Sequence, residues 1–187
     1  EEKLIKKLEI LSCFPNCIVN NARTIENLEV SKEGISSEIS MINEYKLGVI
    51  IPYKMIMALL KKNKYSLKKI VNISSIYGLV APNKNLYESD EIELPIQYGL
   101  AKAALIQLTK DLAVRLSKNK IRVNCIAYGG VKGRKENNFE SKYSKLCPIG
   151  RMLNDEDLPS PLDLLLSEKS DAINGHVLVV DGGWTIW

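Results

Sequence analysis

Two residues four apart, Tyr98 and Lys102 in the run QYGLAKAAL, are the first place where residue type and spacing imply chemistry. On a helix, four residues advance the chain by about 400° and roughly 6 Å, so the two side chains share a face. An ammonium held beside a phenol favours the phenolate and brings a tyrosine toward the range where it trades protons with an alcohol or a carbonyl. Ser75, in the run VNISS, can supply a hydrogen bond to the same oxygen. A Ser–Tyr–Lys set is what hydride transfer to or from a carbon–oxygen bond needs on the protein side. The hydride itself has to come from a cofactor. Alone, Y-x-x-x-K is a weak signal, because both residue types often decorate helices.

The elements that must position these residues read clearly. Apolar, β-branched runs stand at Cys17-Ile18-Val19, Ile70-Val71-Asn72-Ile73, Val123-Asn124-Cys125-Ile126-Ala127 and Val177-Leu178-Val179-Val180. They are nearly continuous, as strands buried on both faces of a parallel sheet are. Residues 36–62 and 97–118 carry apolar side chains at helical spacing, and 155–167 forms a third helix whose first turn accepts Pro159 and Pro161. Strands alternating with helices predict an α/β fold, a Rossmann-like doubly wound parallel sheet in three layers, over one domain spanning 1–187. Asn20-Asn21-Ala22, Ser74-Ser75, Gly129-Gly130 and Asp181-Gly182-Gly183 each follow a strand. In a parallel sheet all four places lie at the carboxyl edge, where open α/β sheets bind ligands.

Composition sets the class. The chain has 187 residues, 45% of them hydrophobic, and a formal charge of +4 from 26 basic and 22 acidic residues. Its lysines are dispersed as solvated faces, so no nucleic-acid footprint emerges. No apolar stretch is long enough to span a bilayer and no secretory signal is visible. The cysteines at 13, 17, 125 and 147 and the single His176 do not make a metal set, and the expectation is buried free thiols in a reducing cytoplasm.

Taken together and in order, NNA, VNISS, QYGLAKAAL, RVNCIA and VLVVDGGW resemble the short-chain dehydrogenase/reductase family over nearly the whole chain. The resemblance implies an NAD- or NADP-dependent oxidoreductase. Ser75 would position the substrate oxygen, and Tyr98 would be the general acid/base. Lys102 would assist the tyrosine and hold the nicotinamide ribose. Asn20 would support the sheet beside the cofactor, Ala22 would line the cofactor groove, and the segment from Gly129 to Val131 would pass over the nicotinamide. It implies a small-molecule substrate and pairing as a homodimer or homotetramer through the two long helices. SSIYG, the closing DGG and a long excursion between Ser75 and Tyr98 resemble the subgroup of bacterial flagellin-modification and sialic-acid-like sugar pathways. That suggests a sugar or nucleotide-sugar substrate.

The departures matter as much. The family's fourth catalytic residue is an asparagine in the helix before the serine strand. Tyr45 stands at that place, with Asn43 two residues away and pointing elsewhere. Arg23 follows NNA where the family has glycine. It either meets an anion of the cofactor or substrate, or lies along the surface with its stem packed, and the second is favoured. Tyr128 and Gly133 replace a proline and a threonine that the family often carries beside the nicotinamide. Ser75 and Tyr98 lie 23 positions apart, which implies an insertion of roughly ten residues within 82–95. Its expected role is a substrate lip with Tyr87 in contact, against an equal alternative of a surface excursion.

No Gly-rich turn stands between a strand and a helix near the start, and residues 1–16 read as the helix before the family's fourth strand. Roughly 60–70 residues of a complete dinucleotide fold are therefore expected to precede this sequence, and with them the residue that selects NAD or NADP. Two other functions stay open. One is a non-catalytic or regulatory module that kept the fold. The other is a sugar-nucleotide epimerase or dehydratase, which usually carries a substantial C-terminal domain.

Overall fold

The computed structural model describes residues 2–63, 66–87, 95–133 and 138–187. The four apolar runs become strands β1 (Cys17–Asn20), β2 (Lys69–Ser75), β3 (Arg122–Tyr128) and β4 (Val177–Val180), all parallel and paired in that order. Their register brings Asn20 beside Asn72, and Ser75 beside Tyr128. β2 and β3 are buried along almost their whole length, which explains their unbroken apolar character. The doubly wound α/β sheet expected from sequence is what forms. β1 has no strand on its other side among the described residues, and Val19 there is partly exposed.

Helices cover both faces of this sheet. α1 (Glu2–Ile10) precedes β1. The predicted 36–62 helix is α2 (Glu38–Tyr45), a π turn (Lys46–Ile50) and α3 (Ile51–Asn63) run together. Ser37 caps its start, its hydroxyl accepting from the Ser40 amide at 3.1 Å. Pro52 accounts for the π turn. It has no N–H to give the carbonyl four residues back and its ring crowds that carbonyl, so the helix loosens and the Ile51 amide reaches back to Lys46. α4 (Ile96–Leu116) follows Pro95 and is the predicted second helix.

Helix α5 (Phe139–Leu146) had no counterpart in the sequence reading. α6 (Pro159–Leu166) opens on Pro159, as expected, after a short 3-10 turn at Asp155–Asp157.

The core divides along the sheet. On one face Ile56, Leu112, Ala113 and Leu116 of α3 and α4 pack on Ile70, Ile121 and Val123. On the other, Leu162, Leu165 and Leu166 of α6 pack on Val71, Ile126 and Leu178. A third cluster, Ile76, Leu86, Tyr87, Phe139, Tyr143, Met152 and Trp184, sits beyond the strand ends. Cys125 and Cys147 are buried and unbridged, as expected, but Cys13 is exposed, because α1 ends before it.

Candidate active site

The site is built on the join between β2 and α4. Strand alternation sends Asn72 and Ser74 toward α4. Asn72, fully buried, donates to Thr109 Oγ1 at 2.8 Å and accepts from Asn20 Nδ2 at 2.7 Å, so one amide ties β1 to β2 and β2 to α4. About two turns of helix nearer the strand's end, Ser74 Oγ donates to the Lys102 carbonyl at 3.0 Å, and Lys102 Nζ donates to the Ile73 carbonyl at 2.8 Å. These bonds satisfy polar groups that would be costly to bury alone, and they set the height of α4 against the sheet.

That height decides where the predicted trio falls. Ser75 ends β2, and its Oγ accepts from the Tyr77 amide at 3.2 Å, which leaves its O–H free to donate. Tyr98 is buried in the first turn of α4, and Lys102 Nζ lies 5.6 Å from its ring centroid. Burial pushes the Lys102 ammonium below its usual range and the Arg23 charge adds to that, while Glu44 and Cys125 oppose it. Ser75, Tyr98 and Lys102 all line one cavity of about 750 Å3 at the carboxyl ends of the strands.

Gly129 and Val131 line it too, with Tyr128, Gly130, Lys132 and Gly133 of the same segment. Glycine is required at 130: a Cβ there would stand 2.8 Å from both Met152 Cε and the Tyr143 ring. The Gly130 amide donates to Tyr143 Oη at 2.8 Å, and Tyr143 stacks on Trp184 at 4.2 Å between centroids. Burial pushes the Tyr143 phenol up to about 12, so it stays a neutral partner. Trp184 follows the closing DGG turn, where Asp181 accepts from the Gly183 and Thr185 amides, each at 2.8 Å.

Some predicted residues fall elsewhere. Asn20 does not line the cavity but ties β1 to β2 through Asn72, a sheet-supporting place like the one expected of it; Ala22 is exposed and off the cavity, while Val19, Asn21 and Arg23 take lining positions. Tyr87 is not at this cavity either. Its ring is buried 5.7 Å from Phe139 and borders a second cavity of about 480 Å3, because the 3-10 turn at Lys84–Leu86 folds it inward. Residues 88–94, where the rest of the proposed lip falls, lie outside the described residues.

Two sets of lining residues escaped the sequence reading. Tyr143 and Phe139 line the cavity from α5, and their spacing with Leu146, i, i+4 and i+7, was a usable helical signal. Leu158, Leu162 and Asp163 complete the far wall, in a stretch squared off by Arg151, whose guanidinium meets Asp157 at 2.6 Å and holds that carboxyl down near about 2. Arg23 is an exposed residue that also lines the cavity. Its guanidinium sits over the Tyr98 ring at 4.7 Å from the centroid. At the departure in α2, Tyr45 faces outward and Asn43 is exposed, whereas Glu44 is buried, with Oε2 lacking a hydrogen-bond partner among the described residues.

The family model described as "Enoyl-(Acyl carrier protein) reductase" matches residues 16–185. Post-translational flagellin modification protein A of Campylobacter coli is 36% identical over 143 residues, covering 76% of this chain and 55% of that protein. The chain thus spans about half the length of the curated relatives it matches. A short-chain dehydrogenase from Leptospira borgpetersenii, solved with bound NAD+, superposes with a TM-score of 0.88 at 26% identity, covering 98% of this chain and 70% of that one. 4-Hydroxyisoleucine dehydrogenase complexed with NADH gives 0.83 at 26% identity, over 100% of this chain and 76% of that one. With its parallel sheet, its trio at the strand ends and a family model that matches nearly end to end, the chain belongs to the short-chain dehydrogenase/reductase family.

Proposed function

We propose that this protein is an NAD- or NADP-dependent oxidoreductase acting on a hydroxyl or carbonyl of a small polar molecule. The observation that carries the reading is the convergence of Ser75, Tyr98 and Lys102 on one cavity at the sheet's carboxyl edge. The cavity fits the nicotinamide end of such a cofactor. It has the volume of a ligand site, glycines where backbone must come close, and a half-buried lysine in its lining. Lys102 and the segment from Gly129 to Val131 would hold that end. A nicotinamide bound there supplies or accepts the hydride.

The chain's own residues handle the oxygen. Ser75 donates its free O–H to it, and Tyr98 gives or takes the proton at its phenol oxygen. Lys102, fixed on the Ile73 carbonyl, places positive charge beside that exchange. Tyr143, Met152 and Leu162 give the far wall a largely apolar lining. Similarity to a flagellin-modification protein supports a sugar or nucleotide sugar as substrate. Exposed apolar side chains on α2 (Ile39, Ile42, Tyr45) and α4 (Leu100, Val114) support pairing with a second copy as a dimer or tetramer. The unbridged cysteines suit a cytoplasmic setting.

The test is to supply the full-length protein with NADH or NADPH and a panel of keto-sugars and keto nucleotide sugars, following reduced cofactor by absorbance. Turnover that vanishes in Tyr98→Phe supports the enzyme. Cofactor-independent ligand binding that ignores Tyr98→Phe would favour a binding module.

A further inference from the structure

We propose that Arg23 is a substrate-recognition residue that pairs with an anionic group, a carboxylate or a phosphate, carried on the molecule whose oxygen Tyr98 addresses. The inference rests on the oxidoreductase reading of the cavity and narrows its substrate class.

Its first support is placement. Arg23 lies three residues past the end of β1, in a segment pinned at both ends. Asn20 is bonded to Asn72 at 2.7 Å, and the buried Gln97 donates to the Asn27 carbonyl at 2.9 Å. Gln97 immediately precedes Tyr98, so the loop that carries Arg23 is hung from the same helical turn as the reacting phenol. The guanidinium lies over that ring at 4.7 Å and lines the cavity.

The second support is charge. Arg23 has no carboxylate partner among the described residues, although it lies within reach of Lys102, another cation. The remaining charged groups of the cavity are otherwise engaged or distant in the wall. Lys132 pairs with Glu140 at 3.2 Å, and Asp163 stands with Leu158 and Leu162 at the start of α6. Glu44 approaches Lys102 from the helix side and does not line the cavity. Two cations flanking one ring repel each other unless an anion lies between or beside them. A planar guanidinium with unused N–H groups is suited to receive two oxygens of such an anion at once.

The third support separates two sources of anion. In dinucleotide folds the cofactor pyrophosphate rests on the helix N-terminus after the first, Gly-rich turn. Arg23 instead faces the ring that exchanges the proton. An anion there belongs to the reacting molecule, within a few bonds of its oxygen.

The experiment is calorimetric titration of the full-length protein, with and without saturating NADH, using succinate and inorganic phosphate against neutral succinamide. The wild type is expected to bind at least one anion about tenfold or more tightly than succinamide. Arg23→Met is expected to erase that preference. Arg23→Lys, which keeps the charge but not the fork, is expected to retain part of it. Equal affinity for anions and succinamide in the wild type, or a preference that survives Arg23→Met, would overturn the proposal. So would an Arg23→Met variant that loses NADH affinity while keeping its anion preference, since Arg23 would then serve the cofactor. Absence of NADH binding to the wild type counts against the oxidoreductase reading, and the cofactor-free titration still decides the role of Arg23.

Discussion

The two walls of the cavity are made differently. The near wall, β2 against α4, is set by side chains that bond across the core: Asn72 to Thr109, Ser74 to the Lys102 backbone, Lys102 to Ile73. The far wall, from Gly129 to Asp163, is set by shape: a Tyr143–Trp184 stack, glycines that admit no Cβ, and apolar side chains from α5 and α6. A bonded wall holds reacting groups at fixed spacing, whereas a packed wall can change its lining residues while keeping its volume. On the proposed function, the first wall would carry the chemistry and the second the choice of substrate, with Arg23 at the seam.

Removing the reacting group should separate the walls most sharply. Tyr98→Phe is expected to lower kcat/KM by about 10²–10⁴-fold while leaving the fold intact. Steady-state kinetics beside far-ultraviolet circular dichroism checks this. A comparable loss from a conservative change in the far wall, such as Leu162→Met, would erase the distinction.

Next in size is the near wall's own bonding. Asn72→Ala strips Asn20 and Thr109 of a buried partner at once, and leaving such groups unpaired costs about 1–3 kcal/mol each. Denaturant unfolding should show a lower midpoint with an unchanged slope. Since Asn72 does not itself line the cavity, KM should move less than stability does.

The far wall should answer to volume. Gly130→Ala puts a methyl 2.8 Å from the Tyr143 ring, which cannot retreat because Trp184 lies stacked behind it, although Met152 Cε can. Overpacking of this kind costs about 1–3 kcal/mol. The expected signature is a raised KM together with lost stability. A variant with normal KM would show that the segment over the cavity is not held by Tyr143.

The same difference explains what could be read from sequence. Ser75, Tyr98 and Lys102 were legible because bonding at fixed spacing leaves a motif, and strand ends gather such motifs at one edge. Gly129 was legible as a strand-end glycine. Leu158 and Leu162 left no motif, since packing constrains size rather than type, and Tyr143 left only the helical spacing it shares with Phe139 and Leu146. Tyr87 misled because an aromatic in a polar insertion resembles a contact residue, while the 3-10 turn before it buries the ring. Asn20 and Ala22 fell beside the cavity rather than on it, because alternation along β1 puts Val19 and Asn21 on the lining side. Arg23 had two readings, an anion contact or a surface position, and no motif chooses between them; the Gln97–Asn27 bond, made between positions 70 apart, ties its loop to α4. Tyr45 marked a real departure in α2, but its inward-facing neighbour Glu44 carries the consequence.

The smallest expected effect tests that consequence. Burial makes the native state hold the Lys102 proton more weakly than the unfolded chain does. Between the depressed native value and the ordinary lysine value near 10.5, the unfolded chain therefore binds more protons, and stability rises with pH across that window. Below the window the burial penalty is carried in full. Arg23 widens the window by repelling the ammonium, and Glu44 narrows it by attracting the same charge. Glu44→Gln should thus move the Lys102 midpoint down, and Arg23→Met should move it up. Carbon-13 resonances of labelled lysine Cε atoms in the full-length protein read both directly. Opposite shifts would show that the bonded wall and the seam act on one amine from two sides. A Glu44→Gln midpoint equal to that of the wild type would mean that the buried carboxylate of α2 exerts no hold on Lys102. Tyr45 would then mark the loss of a polar group near the amine with nothing in its place.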